Sequence, residues 1–242
     1  MIRKYLNKHL KVSNLPLNDI NTMYHEFFHR KDYEWYYAPQ HGDICVDVGA
    51  CVGFFTCLAL DGGARQIYSI EPNREHLKTL LDNTSDYFID HGETPVVPIN
   101  AAIGSKEEHY ENIFGPSAKF NLMSFKDCMT QYDIEWIDFL KIDCEGGEYD
   151  IFSLENVPFL RNNVQHIAVE FHLDSFPEAP RRWIYVRDNI LGHFDENKIH
   201  FLEHEDRDLA FNDIALRKAE WEPGRSFMVY ITNTIDWDPT SL

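Results

Sequence analysis

Short apolar runs alternate with stretches of helical spacing through most of the chain. Ile44-Cys45-Val46 is apolar and partly β-branched, so it reads as a buried strand that delivers Asp47 and Gly49 into a tight turn. From Val52 onward Phe54, Phe55, Leu58 and Ala59 recur at helical spacing. Gln66-Ile67-Tyr68-Ser69-Ile70 reads as the next parallel strand, and residues 75–83 as a helix with Asn73 as its N-cap. Residues 96–104 read as a third strand ending in small residues, residues 137–143 as a fourth followed by a helix from Glu145, and residues 165–172 as a fifth. Such alternation predicts an α/β fold with a parallel sheet covered on both faces.

Outside that pattern the chain is less regular. Residues 1–40 mix basic and aromatic positions, among them Tyr24, Phe27, Phe28, Tyr33, Trp35, Tyr36 and Tyr37, and read as helical, then irregular, up to Pro39-Gln40-His41-Gly42-Asp43. This segment is expected to be an extension that covers the sheet or serves as a lid or substrate platform, with the main domain spanning 41–242. Residues 107–125, with Gly115 and Pro116, read as a hairpin or loop excursion, and residues 180–191 as a helix. Residues 199–202 and 226–231 read as closing strands of an antiparallel edge, and the acidic run 203–208 between them as solvated loop. No internal repeat or low-complexity tract is present.

The strand, the turn Asp47-Val48-Gly49-Ala50-Cys51-Val52-Gly53 and the helix after it are followed by Glu71-Pro72-Asn73 at the tip of the next strand. A glycine turn between strand and helix, with an acid about 20 residues on, suits an adenosine-containing cofactor whose ribose hydroxyls bond the acid. Glycine fits where the backbone turns sharply or where a ligand or neighbouring strand comes close. A dinucleotide wants the tighter Gly-x-Gly-x-x-Gly turn for its pyrophosphate. Here Cys51 occupies the middle position and the spacing is Asp-x-Gly-x-x-x-Gly. S-adenosylmethionine has no phosphate, and its ammonium and sulfonium favour nearby carboxylates such as Asp47.

Composition narrows the partners. A chain of 242 residues holds one generous α/β domain with an appendage. A formal net charge of −18 argues against a phosphate backbone as partner, because nucleic-acid affinity rests on Lys and Arg neutralising phosphates. Cys45, Cys51, Cys57, Cys128 and Cys144 are odd in number and form no Cys-x-x-Cys pair, which points to reduced thiols in a cytoplasmic setting. No run of about 18 apolar residues occurs, and the first residues lead into a polar segment, so neither a membrane span nor secretion is expected.

Several strings taken together resemble the FkbM-type S-adenosylmethionine-dependent methyltransferases: Asp47-Val48-Gly49-Ala50 through Gly53 and Thr56, Glu71-Pro72-Asn73, Asn100-Ala101-Ala102-Ile103-Gly104, Lys141-Ile142-Asp143-Cys144-Glu145-Gly146-Gly147-Glu148, and Glu170-Phe171-His172. They sample residues 43–172 in the family's order. The chain departs at Cys51, where the family usually has Asn, and at Gly147, where it usually has Ala, at a cost of up to about 1 kcal/mol in a helix. The resemblance implies a class I methyltransferase fold, a Rossmann-like sheet of seven strands, six parallel and one antiparallel, with helices on both faces. It also implies O-methyl transfer to a hydroxyl of a carbohydrate or other small polyhydroxylated acceptor, with S-adenosylhomocysteine as product. Its cofactor set falls on Asp47, Gly49, Ala50, Cys51, Gly53 and Thr56, on Glu71, Pro72 and Asn73, on Asn100, Ala101 and Ala102, and on Asp143. Within it Asp47, Gly49 and Gly53 shape the methionine side, Glu71 holds the ribose, and residues 100–102 flank the adenine.

Methyl transfer is an in-line displacement at an activated carbon, so the protein must align an acceptor oxygen and help it lose a proton. Asp143, Glu145, Glu148, Glu170 and His172 lie at the carboxyl ends of the fourth and fifth strands, where ligands bind in such sheets. Asp143 is expected near the methionine ammonium or the acceptor. Glu145 and Glu148 are expected to share a helix face near its positive N-terminus, as catalytic groups or as partners of Lys141. His172 is a natural base near neutral pH, or else a hydrogen-bonded rim histidine. The spacing of these residues demands no metal, and His25 and His29, four apart among aromatics, read as packing or solvent contacts. A nicotinamide-dependent oxidoreductase, resting on the turn and Glu71 alone, and a non-catalytic adenosine-cofactor-binding protein remain as alternatives.

Overall fold

Eleven strands and seven α-helices frame the described residues of this computed structural model, which are 2–5, 8–12, 15–87, 94–105, 120–202 and 225–233. The strands are β1 (Ile2–Tyr5), β2 (Lys8–Lys11), β3 (Ile44–Val48), β4 (Gln66–Ile70), β5 (Val96–Ile99), β6 (Ala102–Ile103), β7 (Leu122–Met123), β8 (Ile137–Ile142), β9 (Val164–His172), β10 (Ile199–Phe201) and β11 (Ser226–Thr232). The helices are α1 (Leu17–His25), α2 (Phe54–Gly62), α3 (Arg74–Thr84), α4 (Phe125–Gln131), α5 (Glu148–Ile151), α6 (Val157–Asn162) and α7 (Ala179–Tyr185).

Seven strands form one sheet in the order β10-β11-β9-β8-β3-β4-β5. Only β11 runs against the rest, pairing antiparallel with both β9 and β10. From β3 the chain runs outward through β4 to β5, then crosses back to β8 on the other side of β3. The switch point therefore lies between β3 and β8, where a crevice opens beyond the strand ends.

Side-chain alternation divides the interior into two cores. Val46, Val48, Leu140, Ile167, Val169 and Phe171 pack on one face with Phe125, Leu160 and Trp183 from the helices. Cys45, Phe139 and Ala168 face the other way, against Phe54 and Phe55 of α2 and Ile20, Phe27 and Tyr33 of the N-terminal segment. The same alternation carries Asp47, Lys141, Asp143 and Glu170 to that second face at the strand tips. Phe27 stacks on Tyr33 at 4.7 Å and on Phe54 at 6.0 Å between ring centroids, so Phe27 and Tyr33 lie in this core, while Trp35 and Tyr36 are exposed.

Some expectations shift. β1 and β2 pair antiparallel in place of the expected helix, and β2 docks where Lys11 N–H donates to Asn83 Oδ1 at 2.7 Å and Asn83 Nδ2 donates to the Lys11 carbonyl. The third strand stops at Ile99, because Asn100 turns its amide onto the carbonyls of Glu71 and Pro72. Ala102 and Ile103 then pair in parallel with Leu122 and Met123; residues 107–119 of the expected hairpin or loop excursion, and the run 203–208, lie outside the described residues. A helix at α4, capped by the Ser124 hydroxyl, follows it. Among the described residues no helix is long and apolar enough to cross a membrane, and all five cysteines are free thiols.

Candidate functional site

The turn after β3 is built around Glu71. Its carboxylate is almost fully buried and accepts from Cys51 N–H on Oε2 at 2.9 Å and from Asn73 N–H on Oε1 at 2.7 Å. Asn73 caps α3 by accepting from Glu75 and His76 N–H, which fixes the strand-to-helix turn on the far side. Cys51 sits at φ 48°, a left-handed conformation that costs a non-glycine residue energy and that the bond to Glu71 holds in place. Burial pushes the Cys51 thiol up to about 12, so it is protonated and unreactive at neutral pH.

Gly49 has φ +78°, and a Cβ there would stand 1.7 Å from the Asp143 carbonyl oxygen. Its role is close approach of β3 to β8 at the switch point. Gly53, at φ +89°, lets α2 start against Leu80 of α3, where a Cβ would meet Leu80 Cγ at 2.8 Å.

Asp47 is not among the residues that line the cavity. It is fully buried, accepts from Thr56 Oγ1 at 2.8 Å, and pairs with Lys141 Nζ at 3.1 Å. Lys141 also donates to the Val48 and Gly49 carbonyls at 3.3 and 2.8 Å, which ties the turn to β8. Burial opposes its charge, yet the carboxylates of Asp47 and Asp143 hold Lys141 above the usual lysine range. Thr56 is likewise spent on Asp47 and Ser69, and Asn100 on the Glu71–Asn73 turn. Of the residues expected around the cofactor, Gly49, Cys51, Glu71, Pro72, Asn73, Ala101, Ala102 and Asp143 line the cavity; Asp47, Ala50, Gly53, Thr56 and Asn100 support it from behind.

At the strand tips His172 is the hub. Its Nδ1 lies 3.2 Å from Glu148 Oε1, and its Nε2 lies 3.6 Å from Asp143, 3.8 Å from Glu145 and 3.9 Å from Glu170. Glu148 is fully buried behind the ring and also accepts from His172 N–H and Gly146 N–H at 2.9 and 2.7 Å. Glu145 and Glu148 share no helix face: Glu145 precedes α5 at φ 54°, Glu148 opens it, and Lys141 pairs with Asp47 instead. Burial opposes a charge on His172, but the Glu148 hydrogen bond and the charges of Glu148, Glu145 and Glu170 raise its pKa well above the ordinary histidine value.

Three residues join the site that sequence reading missed. The Tyr33 hydroxyl lies 2.9 Å from Asp143 Oδ2 and 2.6 Å from Glu170 Oε2 and shares its one hydrogen between them. Burial and those two charges hold Tyr33 well above the usual tyrosine range, so it stays a donor. Ser226 of β11 donates to the other Glu170 oxygen. Glu26 lies in a π-helical turn, Glu26–Arg30, its side chain 21 % exposed; burial, then the charges of Glu170 and Asp143, raise its carboxyl to about 7. Glu145 is also raised to about 7 by burial and nearby carboxylates, although at 56 % exposure water weakens that effect.

These groups line a cavity of about 760 Å³, within the range of small-molecule sites. The Glu71 turn closes one end. The other is walled by Asp143, Glu145, Glu170 and His172 on one side and by Asp19, Met23 and Glu26 of the N-terminal segment on the other. Counting Glu71 and Asp174, seven carboxylates line it, and no Lys or Arg does among the described residues.

The chain is similar to several solved structures. A methyltransferase FkbM from Methylobacillus flagellatus superimposes with a TM-score of 0.54 at 16 % identity, over 86 % of this chain and 47 % of that one. Aeropyrum pernix fibrillarin with natively bound S-adenosyl-L-methionine gives a TM-score of 0.45 at 13 % identity, over 96 % of this chain and 82 % of that one. TrmK of M. capricolum with bound S-adenosyl-homocysteine gives 0.44 at 10 %, over 85 % and 67 %. No curated protein matches the chain in sequence. The model of the methyltransferase FkbM domain matches residues 47–188, from the buried Asp47 through α7, and sets aside the nicotinamide reading. That match takes in both the Glu71 turn and the His172 hub, and the protein belongs to the FkbM family of S-adenosylmethionine-dependent methyltransferases.

Proposed function

We propose that the protein transfers a methyl group to a hydroxyl of a carbohydrate or other small polyhydroxylated acceptor bound at the acidic end of the cavity. The observation that carries this reading is the lining: seven carboxylates with no Lys or Arg among the described residues. Such a chamber repels phosphates and favours neutral or cationic acceptors rich in hydrogen-bond donors.

The cofactor end fits S-adenosylmethionine. Glu71 spends one lone pair of each oxygen on a backbone N–H and keeps others for two ribose hydroxyls. Ala101, Ala102 and Ile103 flank the space for the adenine, and Gly49 and Asp143 border the methionine end. Bound there, S-adenosylmethionine supplies a methyl carbon activated by its sulfonium. Asp143 and Glu170, locked by Tyr33 and Ser226, orient acceptor hydroxyls, and Glu148 holds His172 in place behind them. Glu26 and Glu145, both near 7, accept the hydroxyl proton at neutral pH. The N-terminal extension, residues 1–40, contributes Glu26 to the acceptor wall and Tyr33 behind it, as well as covering the domain formed by 41–242.

The test is transfer of isotopically labelled methyl from S-adenosylmethionine onto a panel of glycans, polyhydroxylated metabolites and RNA. The expected result is label on hydroxyl oxygens of uncharged or cationic members. Label on RNA alone contradicts the proposal.

A further inference from the structure

The three side chains that converge at the tips of β8 and β9 are a nitrogen donor and two carboxylates. His172 Nε2, Asp143 and Glu170 offer ligand atoms that all lie within 4.8 Å of one another. The ring nitrogen stands 3.6 Å from Asp143 Oδ1 and 3.9 Å from Glu170 Oε1. Around a cation with bonds of ~2.1 Å, adjacent ligands stand ~3.0 Å apart and opposite ones ~4.2 Å, so both separations fall inside the range that coordination requires.

The surroundings of His172 point to a ligand independently of the carboxylate cluster. The residue is only 8 % exposed, and Nε2 makes no hydrogen bond to any described residue while aiming into the cavity. Its other nitrogen is held by buried Glu148, the outer-shell carboxylate that fixes the tautomer and orientation of metal-ligating histidines. Tyr33 plays the matching part for Asp143 and Glu170, bonding at Oδ2 and Oε2; Asp143 Oδ1 and Glu170 Oε1, the latter also accepting from Ser226, turn toward the ring nitrogen.

We propose that Asp143, Glu170 and His172 form a divalent-cation site whose open coordination positions chelate two adjacent hydroxyls of the acceptor. One imidazole and two carboxylates suit Mn²⁺ or a similar borderline ion better than an all-oxygen cage would. Glu145, 3.8 Å from Nε2, stands beside the site where it can take the proton that a chelated hydroxyl gives up. The oxygen then forms a bond to the methyl carbon as the carbon–sulfonium bond breaks, leaving a neutral thioether and one released proton. The chelating role rests on the methyl-transfer reading; cation binding does not.

The test is titration of the metal-free full chain with Mn²⁺, read by electron paramagnetic resonance of the free ion and by calorimetry. One Mn²⁺ per chain is expected. His172→Ala should abolish binding, and Glu148→Gln, which keeps every ligand, should weaken it about 10–100-fold. S-adenosylhomocysteine affinity serves as the folding control, and Glu148→Gln carries the test if His172→Ala fails to fold. Absence of stoichiometric binding, or equal binding by wild type and a folded variant, overturns the site. Stoichiometric Mn²⁺ without methyl transfer to any polyol would overturn the reaction proposed above and leave the cation site standing. Transfer that persists in EDTA, with no Mn²⁺ bound, would overturn the cation site alone.

Discussion

Replacing Glu71 with Gln keeps the shape of the side chain and removes one acceptor. In the native turn each carboxylate oxygen receives a backbone N–H, from Cys51 at 2.9 Å and from Asn73 at 2.7 Å. A Gln amide accepts with one end only, so its NH₂ must face one of those donors. An unsatisfied buried donor costs about 1–3 kcal/mol, which should appear as lost folding stability without cofactor. Binding loses a further hydrogen bond from a ribose hydroxyl to a charged acceptor, worth about 1.5–3 kcal/mol, or roughly a 10–150-fold rise in Kd. Calorimetric titration with S-adenosylhomocysteine, paired with urea denaturation of the free protein, separates the two effects. Wild-type stability together with wild-type affinity in Glu71→Gln would refute the ribose clamp and the turn assignment at once.

Other consequences concern the scaffold and the base. Gly49→Ala must fit a Cβ 1.7 Å from the Asp143 carbonyl at φ +78°, and left-handed strain plus overpacking should cost about 2–5 kcal/mol in denaturant unfolding. Lys141→Met strands buried Asp47 and should destabilise by about 3–5 kcal/mol, with Asp47→Asn in the same chain recovering most of the loss. Burial, against the opposing charge of Asp138, lowers His166 from 6.5 to about 4, and its ring stacks on Tyr37 at 3.8 Å. The unfolded chain therefore takes up a proton between pH 6.5 and 4 that the folded one refuses, so stability falls as pH drops through that window. The full difference is worth roughly 3 kcal/mol, which partial solvent access reduces to about 1–2 kcal/mol; urea midpoints against pH for wild type and His166→Phe should differ in that slope. Replacing both Glu26 and Glu145 with Gln should lower kcat about 100-fold and flatten the rise of rate near pH 7, with S-adenosylhomocysteine affinity unchanged.

The central strands and the helices α2 and α3 were legible because one period governs each. Cys45, Val46 and Val48 fill both faces of a buried strand, and Asn73 announces a helix start through local chemistry alone. Glu71 could be placed for the same reason, since the turn that binds it is adjacent in sequence. The pairing of Asp47 was not legible because its partner, Lys141, lies on another strand; a lone acid at a strand end looks the same whether it meets a ligand or a buried ammonium. His172 posed a similar difficulty. Only the fold brings Glu148, Glu145 and Glu170 around the ring, and their charges raise its pKa against the effect of burial. Glu26 and Tyr33 were hidden in an aromatic stretch whose packing role was visible while its reach over the strand tips was not. The clue available was an acid between Tyr24 and Phe28, a costly residue to place among rings without a task.

The acidic acceptor chamber is tested most directly by a matched pair of acceptors. One polyol that accepts methyl and the same polyol as its phosphate ester would be compared in kcat/KM with labelled S-adenosylmethionine. Seven lining carboxylates with no Lys or Arg among the described residues predict that the free polyol is the better substrate and that added salt narrows the gap. Equal or faster methylation of the phosphate ester would contradict the account.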